Sequence, residues 1–303
     1  MASCATFLLL LQGFLSSFSE PIQFHRKHCE HIPHELTKTL RNQSVLMVGD
    51  SMMRYHYLSL VYNLRHRSLI HADMYPNTVE ELSWGGWEGY NTFFKGSSNL
   101  LAPYEFCDCW RPVNEPMSLF TMFENRFYHD PTLNVSVTFF WYCGTHTLGH
   151  WSPGQDDSMR TPQPTASPYN WLFSLEDFLI EVVPKLAHVP KIFILNSGFW
   201  PNKFGTDMDL IDRIANHSVA NFDTFIWKTT NHDQTHGGQL NAGDYRWYLK
   251  SLEFPSLHFN NLTWTVHLAT EHYWDYYHFK APVYWKVNED LLNILKTAGY
   301  PKP

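Results

Sequence analysis

Ser44-Val-Leu-Met-Val48, closed by Gly49-Asp50-Ser51 and followed by Met52-Met-Arg-Tyr-His-Tyr-Leu-Ser-Leu-Val61, decides how the rest of the chain is read. The first five residues are a short apolar run ending at a glycine, which is the pattern of a parallel strand buried on both faces. Beyond it, Tyr57, Leu58, Val61 and Leu64 recur at helical spacing and predict an amphipathic helix over residues 52–66. Working outward, Val135 to Trp141 (VSVTFFW), Lys191 to Leu195 (KIFIL) and Asp223 to Lys228 read as further strands, with another near Leu262 to Leu268. Helices are predicted over Leu175 to Leu186 with Pro184 near its end, Asp207 to Asn216, Gly243 to Leu252 and Ala281 to Leu295. Pro282 suits the first turn of the last one. Strands alternating with helices give an α/β fold with a mostly parallel sheet. Trp151 to Pro168 holds four prolines and no periodicity, so it is expected as an ordered surface loop or lid. No repeat, low-complexity tract or linker interrupts the pattern, and residues 20–303 read as one domain.

Composition narrows the function. The 303 residues are 44% apolar and 17% charged, enough to build a large core and too apolar for disorder. Net charge is −7 with no basic run that would track a phosphate backbone, which argues against nucleic acid as a ligand. Twelve Trp, 16 Tyr and 22 Phe exceed what packing needs, and flat rings at a cleft suit sugar faces; aromatic core packing accounts for most of them. Protonating all 18 histidines would turn −7 into +11, so a mildly acidic lumen would change this surface considerably.

The N-terminus and the cysteines bear on compartment. Phe7 to Leu15 is an apolar stretch of signal-peptide length, and Ser17 and Ser19 suit cleavage before Glu20; the expectation is a signal peptide, or a signal anchor, over residues 1–19. Removing it discards Cys4 and leaves Cys29, Cys107, Cys109 and Cys143, expected to form two disulfides. Sequence does not choose among the three pairings, although Cys107 with Cys109 is the least expected because two residues make a strained ring. Four sequons, at Asn42, Asn134, Asn216 and Asn261, agree with a secretory route.

Three features carry chemistry. Ser51 falls where a strand stops and a helix starts, so its hydroxyl stands above the carboxyl edge of the sheet and its N–H is free for an oxyanion. Gly-Asp-Ser alone is also ordinary helix-capping chemistry. Asp275-Tyr-Tyr-His278, just before the last helix, has a spacing that lets a carboxylate fix the imidazole tautomer and leave the other nitrogen for a serine proton. Asn196, directly after a strand and followed by Gly198, can offer a side-chain amide to the same oxyanion, or simply make a turn. His232, Asp233 and His236 have ligand-like spacing but read as solvated loop residues, so no metal or resident cofactor is expected. Trp84, Trp87 and Tyr90 in a glycine-rich segment read equally as a sugar platform or as loop packing.

VLMVGDSMMRYHYLSLVYNL, from Val45 to Leu64, resembles the esterase box of the plant trichome-birefringence-like (PC-esterase) family, within the wider SGNH hydrolase-like superfamily. Val135 to Trp141 before Cys143, ILNSGFWP from Ile194, IWKTTNH from Ile226 and DYYHFKAPVYWKVNEDLL from Asp275 follow in the family's order, so the similarity spans about residues 40–295. The resemblance implies a three-layer α/β/α sandwich with a Ser51–His278–Asp275 triad, oxyanion donors at Ser51 and Asn196, and Trp200 flanking the cleft; Trp87 of the glycine-rich segment is the second expected substrate contact. It implies an O-acetyltransferase of the Golgi lumen or secretory pathway that passes an acetyl group from a small donor to a polysaccharide or glycan hydroxyl. An esterase with the same residues and a non-catalytic glycan-binding protein are the alternatives. A second oxyanion glycine stays open among Gly85, Gly86, Gly89 and Gly144, and so does membrane association. Tyr276 stands where the family has a cysteine and Phe279 where it has a tryptophan, which removes the family's disulfide at that loop.

Overall fold

The computed structural model describes residues 24–70, 86–110, 123–142, 147–149, 171–196, 207–230, 242–273 and 277–301. Its strands are β1 Ser44–Gly49, β2 Glu105–Trp110, β3 Phe123–Asp130, β4 Val135–Trp141, β5 Thr147–Gly149, β6 Trp171–Phe173, β7 Ile192–Leu195, β8 Thr224–Lys228 and β9 Leu257–Asn260. Seven of them form one mixed sheet in the order β2-β3-β4-β1-β7-β8-β9, and β5 pairs with β6 separately. β1 lies parallel to both β4 and β7, and β7, β8 and β9 continue in parallel, while β2 and β3 add an antiparallel extension. From the central β1 the chain winds out to β4, then crosses back to β7 on the other side. That reversal puts the topological switch point at the carboxyl ends of β1 and β7, the place where doubly wound sheets hold their ligands.

The helices are α1 Ile32–Thr39, α2 Ser51–His66, α3 Gly86–Leu101, α4 Met208–Asn221, α5 Ala242–Glu253 and α6 Ala281–Thr297. Val45 and Met47 of β1 pack with α1, α2, α6 and Phe93 and Phe94 of α3. Leu46 and Val48 pack on the opposite side with residues 175–186, α4 and Trp247 of α5. Helices therefore cover both faces of the sheet, which is why its central strand reads as unbroken hydrophobic sequence.

Several expectations are corrected. The helix after β1 is not amphipathic: every residue from Met52 to Leu64 is buried, including Arg54, His56, Ser59 and Asn63. α2 meets β1, β4, α1, α3 and α6, so no face is left to solvent. The strand expected near 262–268 lies earlier, at Leu257–Asn260, and Thr263–His267 is a 3-10 turn. Asn261 Oδ1 accepts from the Thr263 N–H at 3.0 Å, and Thr265 Oγ1 and N–H both bond the Leu262 carbonyl, which bends the chain out of the sheet. The 175–186 helix is broken into an α turn at Leu175–Asp177, a π turn at Phe178–Val182 and a 3-10 turn at Val183–Lys185. Pro184, with no N–H for the Ile180 carbonyl, cannot continue an α ladder there.

The disulfide expectation also changes. Cys107 and Cys109 are bonded to each other with Cα atoms 5.3 Å apart. Alternate residues of a strand face the same side, and on β2 this brings the pair within ordinary disulfide span. Cys29 is a free thiol buried in the core, and Cys143 lies outside the described residues, as do the 1–19 segment and the 151–168 stretch. Among the described residues no helix is long and apolar enough to cross a membrane.

Candidate active site

The carboxyl end of β1 makes a sharp elbow into α2. Asp50 is the N-cap, and its carboxylate accepts from the Met52 N–H at 3.0 Å. Gly49 is required by close approach: a Cβ there would sit 2.7 Å from Met53 Cβ and 3.2 Å from the Asn196 carbonyl oxygen. Ser51 opens the helix half-buried, in the first turn, where backbone N–H groups lack helical partners.

Ser51 Oγ and His278 Nε2, 227 residues apart in sequence, lie 2.8 Å from each other. An Nε2 that accepts the serine proton requires the Nδ1–H tautomer, the state a carboxylate at Nδ1 would fix. Asp275, the residue expected there, lies outside the described residues. The loop carrying His278 is pinned from both sides. Tyr273 and Phe279 form a β-bridge, Lys280 N–H donates to the His272 carbonyl at 2.8 Å, and Phe279 is fully buried in the core. α6 begins two residues later with Pro282 in its first turn.

Asn196 abuts Gly49 from β7. Its N–H donates to the Val48 carbonyl, its side-chain Nδ2 donates to the Lys228 carbonyl at 3.0 Å, and it is fully buried. One of its two amide hydrogens is thus held by β8. The register Val48–Leu195–Trp227 places Gly49, Asn196 and Lys228 in the next row of the sheet, on the side facing α2. Lys228 is fully buried, and burial pushes its pKa down to about 8, with the charge of Asp50 acting against the shift. His56 on α2 is held well below the ordinary histidine range, first by burial and then by Lys228, so it is neutral. Asn288 of α6 donates to Ser59 of α2 at 3.0 Å and ties the two helices beside this layer.

A second buried polar group lies between α2 and the antiparallel extension. Arg54, three residues after Ser51, donates through Nε to Glu124, which also accepts from Arg126 Nε at 2.5 Å. Arg126 reaches Glu105 at 3.0 Å and Ser97 Oγ at 2.8 Å, and Ser98 donates to Glu105. Two cations and two carboxylates alternate, so the network is charge-balanced inside the core. The Arg54 guanidinium also lies over the Trp141 ring at 4.7 Å. This network fixes α2 to β2, β3 and α3.

No protein-family model, curated protein or solved structure matches the chain.

Of the residues singled out by sequence, the structure brings Ser51 and His278 together and sets Asn196 against Gly49. Trp200, Trp84, Gly85, Gly144, His232, Asp233 and His236 lie outside the described residues. Gly86, Trp87, Gly89 and Tyr90 fall within α3. Among the described residues no three His, Cys, Asp or Glu side chains are grouped to hold a metal ion. Sequence reasoning missed Lys228, whose only signal was a cation closing the apolar run Thr224–Lys228. It also missed Tyr277, 42% exposed immediately before His278, and Tyr55, whose ring meets the His278 ring.

Proposed function

We propose that the chain is a serine acyltransferase that moves an acetyl group onto a carbohydrate hydroxyl, a member of the PC-esterase family with the SGNH arrangement of the site. The observation that carries the reading is the 2.8 Å contact between Ser51 Oγ and His278 Nε2 at the carboxyl end of β1, beside the topological switch point of the sheet. Ser51 Oγ attacks the acyl carbonyl of the donor while His278 Nε2 takes its proton. The oxyanion is met by the Ser51 N–H at the positive end of α2 and by the remaining amide hydrogen of Asn196. Collapse expels the donor's leaving group, which takes the proton from His278 and leaves acyl-Ser51. The acceptor hydroxyl then gives its proton to His278 and attacks the ester, restoring Ser51. Asp275 holds the imidazole tautomer and stabilises its cation through both halves. The exposed Tyr277 ring, with Trp200 and Trp87, supplies the apolar faces that sugar rings stack on.

A secretory or Golgi location belongs to the same proposal. It is supported by the apolar leader and by four sequon asparagines, Asn42, Asn134, Asn216 and Asn261, all exposed. The test is incubation of the purified protein with a labelled acetyl donor, with and without glycan acceptors, beside Ser51→Ala. Label passing through Ser51 to sugar supports transfer, label passing through Ser51 to water makes the protein an esterase, and no label on Ser51 removes the catalytic reading in favour of glycan binding.

A further inference from the structure

Cys107 and Cys109 lie on β2, the strand at one end of the seven-stranded sheet, with their sulfurs joined. Among the described residues β2 pairs with β3 alone, in a register that runs from Glu105–Tyr128 to Trp110–Phe123. That ladder holds the backbone of both cysteines without help from the sulfur bond. The bond itself closes a loop of three residues, for which the chain-entropy relation gives about half the stabilisation of a 15-residue loop. Both cysteines are half-buried at the margin of the core cluster shared with α2 and α3, whereas Cys29 is buried in it. A small thiol in solvent can therefore reach the bonded pair and not the free cysteine. Across the ladder Cys107 stands opposite Arg126 and Cys109 opposite Glu124. A neighbouring cation favours a thiolate and a neighbouring carboxylate opposes one, so Cys107 is the better leaving group of the two.

We propose that Cys107–Cys109 is a thiol–disulfide exchange site, opened by dithiols in the folded protein, and not a structural staple. One thiolate of the dithiol bonds to Cys109 Sγ, the bond between the two cysteines breaks, and Cys107 leaves as a thiolate. The second thiolate of the reagent then attacks the mixed disulfide and frees Cys109. Two electrons pass to the protein, and the dithiol becomes a disulfide. None of this uses Ser51 or His278, so the site stands or falls apart from the proposed acyl transfer.

The experiment treats the full-length protein with dithiothreitol at pH 8 without denaturant, then blocks thiols with iodoacetamide. Peptide mapping locates the label, so Cys4 and Cys143 are scored separately. Untreated protein should carry no label on Cys107 or Cys109. After dithiothreitol both should be labelled while Cys29 stays unlabelled, which shows that the pair opened without the core opening. The double variant Cys107→Ser/Cys109→Ser, melted without reductant, isolates this bond from any other and should melt within about 5 °C of wild type. Label on the pair before reduction, label that appears only in denaturant, or label that appears together with Cys29 would each overturn the proposal. So would a double variant that melts more than about 5 °C lower, because the bond would then be holding the fold.

Discussion

Replacing Lys228 with methionine should change how stability depends on pH above neutrality. In the folded protein burial lowers the Lys228 pKa to about 8, against 10.5 for an ordinary lysine. Between those values the unfolded chain holds a proton that the folded chain has released, so stability rises with pH, by at most about 1.4 kcal/mol per unit. Below pH 8 both states are protonated, and the folded protein carries the full cost of a buried ammonium beside Asp50. Across the window of about 2.5 units the relief amounts to roughly 3 kcal/mol, complete only above the unfolded pKa. Methionine fills much of the same volume and has no charge to titrate. Urea denaturation of wild type and Lys228→Met at pH 7, 8, 9 and 10 gives the test. The stability of wild type minus that of the variant should be flat from 7 to 8, then climb by roughly 2 kcal/mol by pH 10. Burial also raises the pKa of Cys29 and of Tyr57, so each costs stability at high pH, but both are present in the two proteins and cancel in the difference. A difference that stays constant within about 0.5 kcal/mol from pH 7 to 10 would refute the argument, since Lys228 would then titrate alike in both states.

Asp275→Asn should keep the fold yet lower turnover by about four orders of magnitude, because an amide at Nδ1 of His278 can hold the wrong tautomer; acyl-enzyme formation and thermal melts together check this. Gly49→Ala should cost about 1–3 kcal/mol in urea unfolding and slow Ser51 labelling, since the new methyl meets Met53 Cβ at 2.7 Å. Adding Met53→Ala should not restore it, because the atom in the way is the Cβ that alanine keeps. Arg126→Met should cost about 3–5 kcal/mol by the same measurement, leaving Glu105 uncompensated and Glu124 with Arg54 alone.

The parts of this molecule that announce themselves in sequence are those whose logic is local. Val45 to Val48 could be read because both faces of β1 are covered, and the elbow could be read because strand, glycine, cap and helix follow one another directly. The pairing of Ser51 with His278 was expected from two motifs whose chemistry is complementary. α2 was misread because its polar residues look like a solvated face until their partners are known, and those partners are remote: Glu124 for Arg54, Asn288 for Ser59. Lys228 is placed by a sheet row, and Tyr55 is packed by the rings of Phe93, His278 and Tyr284, all of them remote in sequence. The strand expected at 262–268 failed because Asn261, read only as a sequon, turns the chain with its own side chain.

Ser51 stands on the first strand-helix unit of the sheet, and His278 arrives just ahead of α6, which packs back on α1 and α2 and reaches Glu35 through Lys296 at 2.9 Å. A nascent chain that has made Ser51 therefore cannot form the Ser51–His278 contact until the chain has been extended by a further 227 residues. Domains are built from the N-terminus forward at about 5–20 residues per second. The proposed Ser51–His278 pair therefore cannot exist in a chain interrupted before residue 278.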